Sequence, residues 1–140
     1  MKKFKIVFLC SNIAALLLEI FAEGAVCNFA TPEKTITETF SYFSLTPYGY
    51  ANFGPFITAI LSCVLFIFAV ILFTPKAKKI FKATAVISGI SLFTSVLPLI
   101  MFGGRGFNLI SYLISLLMLF QLIAIIILKS KKEVIQNEVQ

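Results

Sequence analysis

The chain has 140 residues, of which 59% are hydrophobic and 13% charged, and twelve basic residues against six acidic ones give a net charge of +6. A soluble domain has roughly 45–50% apolar and roughly 25% charged residues, so the composition is that of a membrane protein. There is no His, Trp or Asp, which removes an imidazole base for a Ser or Cys nucleophile and any HExxH zinc helix.

The first apolar run extends from about Phe4 to Val26, long enough for a helix to cross ~30 Å of hydrocarbon at ~1.5 Å per residue. Its start, MKKFK, also reads as the n-region of a signal peptide, with small residues at Ala22, Gly24 and Ala25 for cleavage. Glu19 and Glu23 within the run argue for a retained span. Spaced four apart on a helix, they share one face. A carboxylate in hydrocarbon costs several kcal/mol, so Glu19 is expected to point inward to a cavity or a partner.

An outer loop, residues 27–51, follows. In TPEK, Thr31 suits an N-cap, Pro32 the first helical position and Glu33 the first turn. TITE adds a capping box from Thr35 to Glu38. Ile36, Phe40 and Phe43 recur at helical spacing. Thr35, Ile36, Thr37 and Thr39 favour a strand, but the capping signals predict a short helix lying on the outer surface. Pro47, Gly49, Gly54 and Pro55 then interrupt regular structure. Aromatic residues gather here, as they do at membrane–water interfaces. Phe40, Tyr42, Phe43, Tyr48 and Tyr50 form a candidate contact surface.

A second span is predicted over about Asn52–Thr74, a third over about Phe81–Phe102 and a fourth over about Phe107–Leu128. PKAKK makes a short turn between the second and third, and GGRG, Gly103 to Gly106, another between the third and fourth. KSKKEVIQNEVQ reads as a frayed continuation of the last helix. Cys10, Cys27 and Cys63 make no CxxC pair and no metal spacing, and no disulfide is expected.

Basic residues fix the expected orientation. Lys2, Lys3, Lys5, Lys76, Lys78, Lys79, Lys82, Lys129, Lys131 and Lys132 fall on one side of a four-span chain; Lys34 and Arg105 fall on the other. Both termini are expected in the cytoplasm. The lysines hug span ends, where anionic lipid head groups lie, so the charge implies no nucleic-acid partner.

Helices in lipid associate through small residues and interhelical hydrogen bonds. Thr84, Ser88, Ser91 and Ser95 make one stripe on the third span, and Asn108, Ser111 and Ser115 another on the fourth. Thr58 and Ser62 mark the second. Asn12, Ala15, Glu19, Ala22 and Glu23 mark the first. These stripes are expected to converge on the bundle axis. Gln121 is an isolated amide, read as structural glue. Glu19, Glu23, Arg105, Ser91, Ser95 and Asn108 form the candidate intramembrane polar or ion site, with Arg105 reaching inward to Glu23 or Glu19.

A four-span chain with LLLEIFAEG in its first span resembles the small multidrug resistance transporters in that stretch. It lacks their Trp and their Gly-rich third span, so no residue role is carried over. The expected fold is an all-α membrane protein: four transmembrane helices in an antiparallel bundle, one domain over residues 1–140, with a structured outer loop. The expected role is a non-enzymatic component of the cell membrane or an accessory subunit. The alternative is a small proton- or cation-linked transporter using Glu19. No cofactor or metal is expected; lipid, a membrane-protein partner or a second copy is.

Overall fold

The structure, a computed structural model, describes residues 2–30, 34–75 and 77–137, without side-chain detail for Lys78 and residues 132–137. It is mostly helical. In chain order it contains α1 (Lys2–Phe21), β1 (Ala25–Ala30), β2 (Thr35–Phe40), α2 (Leu45–Gly49), α3 (Gly54–Ile71), α4 (Ala77–Phe102), a 3-10 turn (Gly103–Gly106) and α5 (Leu109–Asn137). Four helices, α1, α3, α4 and α5, are long and apolar enough to cross a membrane. Their length follows from long, predominantly apolar runs, in which a helix satisfies the backbone N–H and C=O groups within the segment itself.

Two expectations are corrected at the end of α1. The helix stops at Phe21, and Ala25 and Val26, assigned above to the first span, begin β1. The segment expected to form a short surface helix is a strand. β2 pairs antiparallel with β1 from Ala25↔Phe40 to Ala30↔Thr35. The reason is the partner. Thr35, Ile36, Thr37 and Thr39 are β-branched, and an apolar stretch directly after α1 supplies a second strand for them to pair with. In this register Thr35 and Glu38 lie on opposite faces of β2, so no capping box forms. The N-cap reading of Thr31, Pro32 and Glu33 lies outside the described residues. A short helix does form at α2, where Pro47 and Gly49 read as breakers; the Ser44 side chain caps it by accepting from the Thr46 N–H at 3.3 Å.

The four long helices contact in a ring: α1 with α3 and α5, and α4 with α3 and α5. Lys5 at the start of α1 donates to the Leu72 carbonyl and sits 5.9 Å from the Phe73 ring centre just past α3. Lys131 on α5 lies 4.9 Å from the Phe4 ring centre. At the other end the hairpin is tied down by Asn52, whose Nδ2 donates to the Val26 carbonyl at 2.9 Å. The approach of α3 to α4 depends on Gly54. Pro98 has no N–H for the Thr94 carbonyl one turn earlier, and α3 packs against that oxygen so closely that a Cβ on Gly54 would lie 2.5 Å from it. The Thr58 and Thr94 hydroxyls join the same two helices at 2.9 Å.

The interior is uneven along its length. Near the lysine-rich end it is an apolar block containing Phe8, Leu65, Leu72, Phe81, Ile125 and Leu128. Near the hairpin end Ala15, Ala25, Tyr42, Ala59, Ile114 and Met118 pack together. Buried polar side chains lie among and between these clusters, including Asn12, Glu19, Ser62, Ser88, Ser91 and Gln121. The outside is apolar, with Ile6, Leu17, Ile67, Val86, Ile100 and Leu116 all exposed. A surface of that kind suits hydrocarbon rather than water.

Candidate functional site

Along α1 the buried positions are Phe8, Asn12, Ala15 and Glu19, at steps of four, three and four. That periodicity aims both polar side chains at the axis. Glu19 is 0% exposed. Its Oε1 accepts from the Ser62 hydroxyl of α3 at 2.8 Å, while Oε2 meets no donor. One residue, Ser62, joins the two polar groups of α1, because its backbone carbonyl accepts from Asn12 Nδ2 at 3.3 Å. The same Nδ2 lies 3.5 Å from Gln121 Oε1 on α5. The carbonyl therefore holds the Asn12 amide nitrogen toward it and turns Oδ1 away. Among the described residues, Asn12 Oδ1, Gln121 Nε2 and the Ser88 hydroxyl of α4 have no hydrogen-bond partner. Buried polar groups are nearly always paired, with protein or with internal water.

Tyr42 closes this interior at the hairpin end. It is 1% exposed, and its backbone N–H donates to the Glu19 carbonyl at 3.1 Å. The ring lies against Gly24, where an added Cβ would sit 2.8 Å from Tyr42 Cε1. Among the described residues its hydroxyl completes no hydrogen bond, although the Ser111 side chain lies near it, and burial pushes the phenol above the usual tyrosine range. Sequence reasoning placed Tyr42 on the contact surface. The structure puts it inside, because the hairpin folds residues 41–44 back over the end of α1. Phe40 is half-buried, while Phe43, Tyr48 and Tyr50 are exposed as surface residues.

The six residues of the candidate intramembrane site separate. Glu19 alone joins the central network. Ser91 and Ser95 are buried, but the Ser91 hydroxyl donates to Met118 Sδ at 3.3 Å and that of Ser95 to the Leu92 carbonyl at 2.8 Å. Asn108 caps α5: its Oδ1 accepts from the Ser111 N–H at 3.0 Å, and its Nδ2 donates to the Glu23 carbonyl at 2.8 Å. The Ser111 hydroxyl donates to the Gly24 carbonyl. Glu23 does not share a helix face with Glu19, since α1 has ended before it. It is exposed, and its Oε2 accepts from the Thr39 hydroxyl at 2.7 Å. Arg105 is exposed on the 3-10 turn and forms no ion pair with Glu19 or Glu23; its carbonyl accepts from Asn28 Nδ2 at 3.0 Å. Sequence reasoning omitted Asn12, Ser62 and Gln121 from the site. Asn12 and Ser62 carried the right signal, since both lie on the polar stripes; Gln121 carried only its rarity in an apolar helix.

Among the described residues, two openings lie at the surface of the hairpin end. A small one of about 60 Å³ is lined by Val26, Cys27, Asn28, Tyr50, Asn52 and Phe102. A wider cleft of about 720 Å³ is lined by Asn28, Thr35, Thr37, Phe102 and Arg105. Neither reaches Glu19. Among the described residues no three His, Cys, Asp or Glu side chains are grouped so as to hold a metal ion. The chain matches no protein-family model, no curated protein and no solved structure.

Proposed function

We propose that this chain is a small integral protein of the cell membrane, built as an antiparallel four-helix bundle, with the hairpin loop on the outer face and both termini in the cytoplasm. Its role is that of a non-enzymatic membrane component or accessory subunit. The observation that carries this reading is the closure of the interior. Glu19 is sealed between Tyr42 at one end and the Phe8, Leu65 and Ile125 block at the other. A Glu19 carboxyl with no exposed surface among the described residues is better suited to holding a fixed shape than to moving a solute. The contact surface left for a partner is Phe43, Tyr48 and Tyr50, the last 63% exposed. A photo-crosslinking residue at Tyr48 or Tyr50, introduced in cells, is expected to capture a distinct membrane protein or a second copy. Labelled protein that stays monomeric and uncrosslinked at both positions refutes the accessory role.

A second reading is supported by the unpaired Glu19 Oε2 and the unpaired Asn12, Ser88 and Gln121 atoms. Such atoms suit a site that is occupied in another conformation, as in a proton- or cation-linked transporter. In proteoliposomes that reading requires pH-dependent cation flux that disappears in Glu19→Gln. Flux that is absent, or unchanged in the variant, eliminates it.

A further inference from the structure

The wide cleft at the hairpin end has a chemistry of its own. One wall is the face of β2 carrying Thr35 and Thr37; the other is the 3-10 turn with Arg105, and Phe102 stands at its edge. Strand alternation decides what the first wall offers. Glu38, opposite Cys27 in the register, falls on the other face of β2 and does not line the cleft. Glu23 is held by the Thr39 hydroxyl. Asn28 is held through both ends of its amide, Oδ1 accepting from the Thr37 hydroxyl at 2.8 Å and Nδ2 donating to the Arg105 carbonyl at 3.0 Å. The Thr35 hydroxyl and the Arg105 guanidinium remain as side-chain donors along the cleft. The guanidinium is exposed, and among the described residues it has no carboxylate partner.

The height of the cleft matters as much as its lining. The 3-10 turn ends one candidate span, Lys79–Gly106, and leads into the next, Leu109–Lys131. It therefore lies where the hydrocarbon gives way to head groups, whichever leaflet the hairpin faces. Phe102 is 39% exposed, and Phe107 and Tyr112 stack edge-to-face at 4.7 Å just beyond the turn. The site thus combines a free guanidinium fork, a hydroxyl and an apolar flank at the level of lipid phosphates. Arg matches the planar, two-oxygen geometry of phosphate better than Lys does.

We propose that the Arg105–Thr35 cleft binds a phosphate-bearing anion, with the guanidinium and the Thr35 hydroxyl both donating to its phosphate oxygens. The position of the cleft favours the phosphodiester of a membrane phospholipid as the source. The full chain in detergent is titrated with dioleoyl phosphatidylglycerol by native mass spectrometry, and in parallel with glycerol 3-phosphate and inorganic phosphate. One saturable lipid per chain is expected. Arg105→Gln should weaken it about tenfold or more, and Arg105→Lys and Thr35→Val by less. The melting temperature of the lipid-free protein should not change, because position 105 keeps its carbonyl bond to Asn28. Saturable binding of a soluble phosphate with the same variant pattern supports the site and makes that compound the source. Should Arg105→Gln lower the lipid-free melting temperature, Arg105→Lys and Thr35→Val decide. Lipid binding indifferent to both, or no saturable binding of any of the three probes, overturns the proposal.

Discussion

Glu19 is held in the interior by one hydroxyl. Removing that donor leaves a buried carboxyl with no partner at either oxygen. Ser62→Ala is therefore expected to lower stability by about 1–3 kcal/mol. Ser91→Ala removes only a weak contact to the Met118 sulfur, so about 0.6 kcal/mol or less is expected. Unfolding of the two variants in mixed detergent and denaturant compares them, and equal losses would show that the Glu19 bond has no special weight. A second residue is testable by pH. Burial, and after it the Glu38 carboxylate, pushes the Cys27 thiol above its ordinary range. A thiol shifted that way carries less reactive thiolate at any given pH. Alkylation of Cys27, followed by peptide mass spectrometry, should rise only at a pH above that of an exposed thiol, and Glu38→Gln should move the rise downward. A Cys27 profile identical in the two proteins would contradict this. The inward aim of Asn12, Glu19 and Ser62 was legible in the sequence because three- and four-residue steps fix a helix face. That Ser62 would serve both Asn12 and Glu19 was not, since it depends on the height at which α3 meets α1.

Among the elements, the hairpin shows where local reading fails. Thr31, Pro32, Glu33 and the Thr35–Glu38 pair all resemble the start of a helix, and each is a signal confined to a few residues. What decides the outcome lies upstream: Ala25–Ala30, whose first two residues were assigned to the first span, pairs with Thr35–Phe40. Propensity for strands is chiefly a statement about available partners. The register makes a direct prediction. Cys27 and Glu38 are opposed, and opposed residues in an antiparallel pair have Cα atoms about 4.5–5.5 Å apart, within reach of a disulfide. Glu38→Cys should form an intramolecular bond to Cys27 under mild oxidation, with loss of two hydrogens by mass. Thr37→Cys, on the other face, should not. The opposite result would restore the surface helix.

For the whole molecule, the four spans and their polar seam were readable because a bilayer demands long apolar helices and makes each buried hydroxyl conspicuous. The division of the interior was less readable. Phe8, Leu65 and Ile125 differ little from the outward-facing apolar residues around them, and only packing reveals that they fill one end. The lysine distribution predicts an orientation that labelling checks. In intact cells a membrane-impermeant maleimide should modify a cysteine placed at Lys34 and spare one placed at Lys131, in a background without the native cysteines. Modification of Lys131→Cys alone would reverse this orientation, and modification of both would show a mixed one.

The join between α1 and β1 has a consequence for biogenesis. Ala25, Val26 and Cys27 leave the ribosome as a smooth extension of a greasy helix, before the strand that will claim them has been made. Until Thr35–Phe40 exists they have no strand to pair with, and a helix running on past Phe21 is expected. Pairing with Thr35–Phe40 ends α1 at Phe21, so the reach of the first helix depends on a segment synthesised well after it.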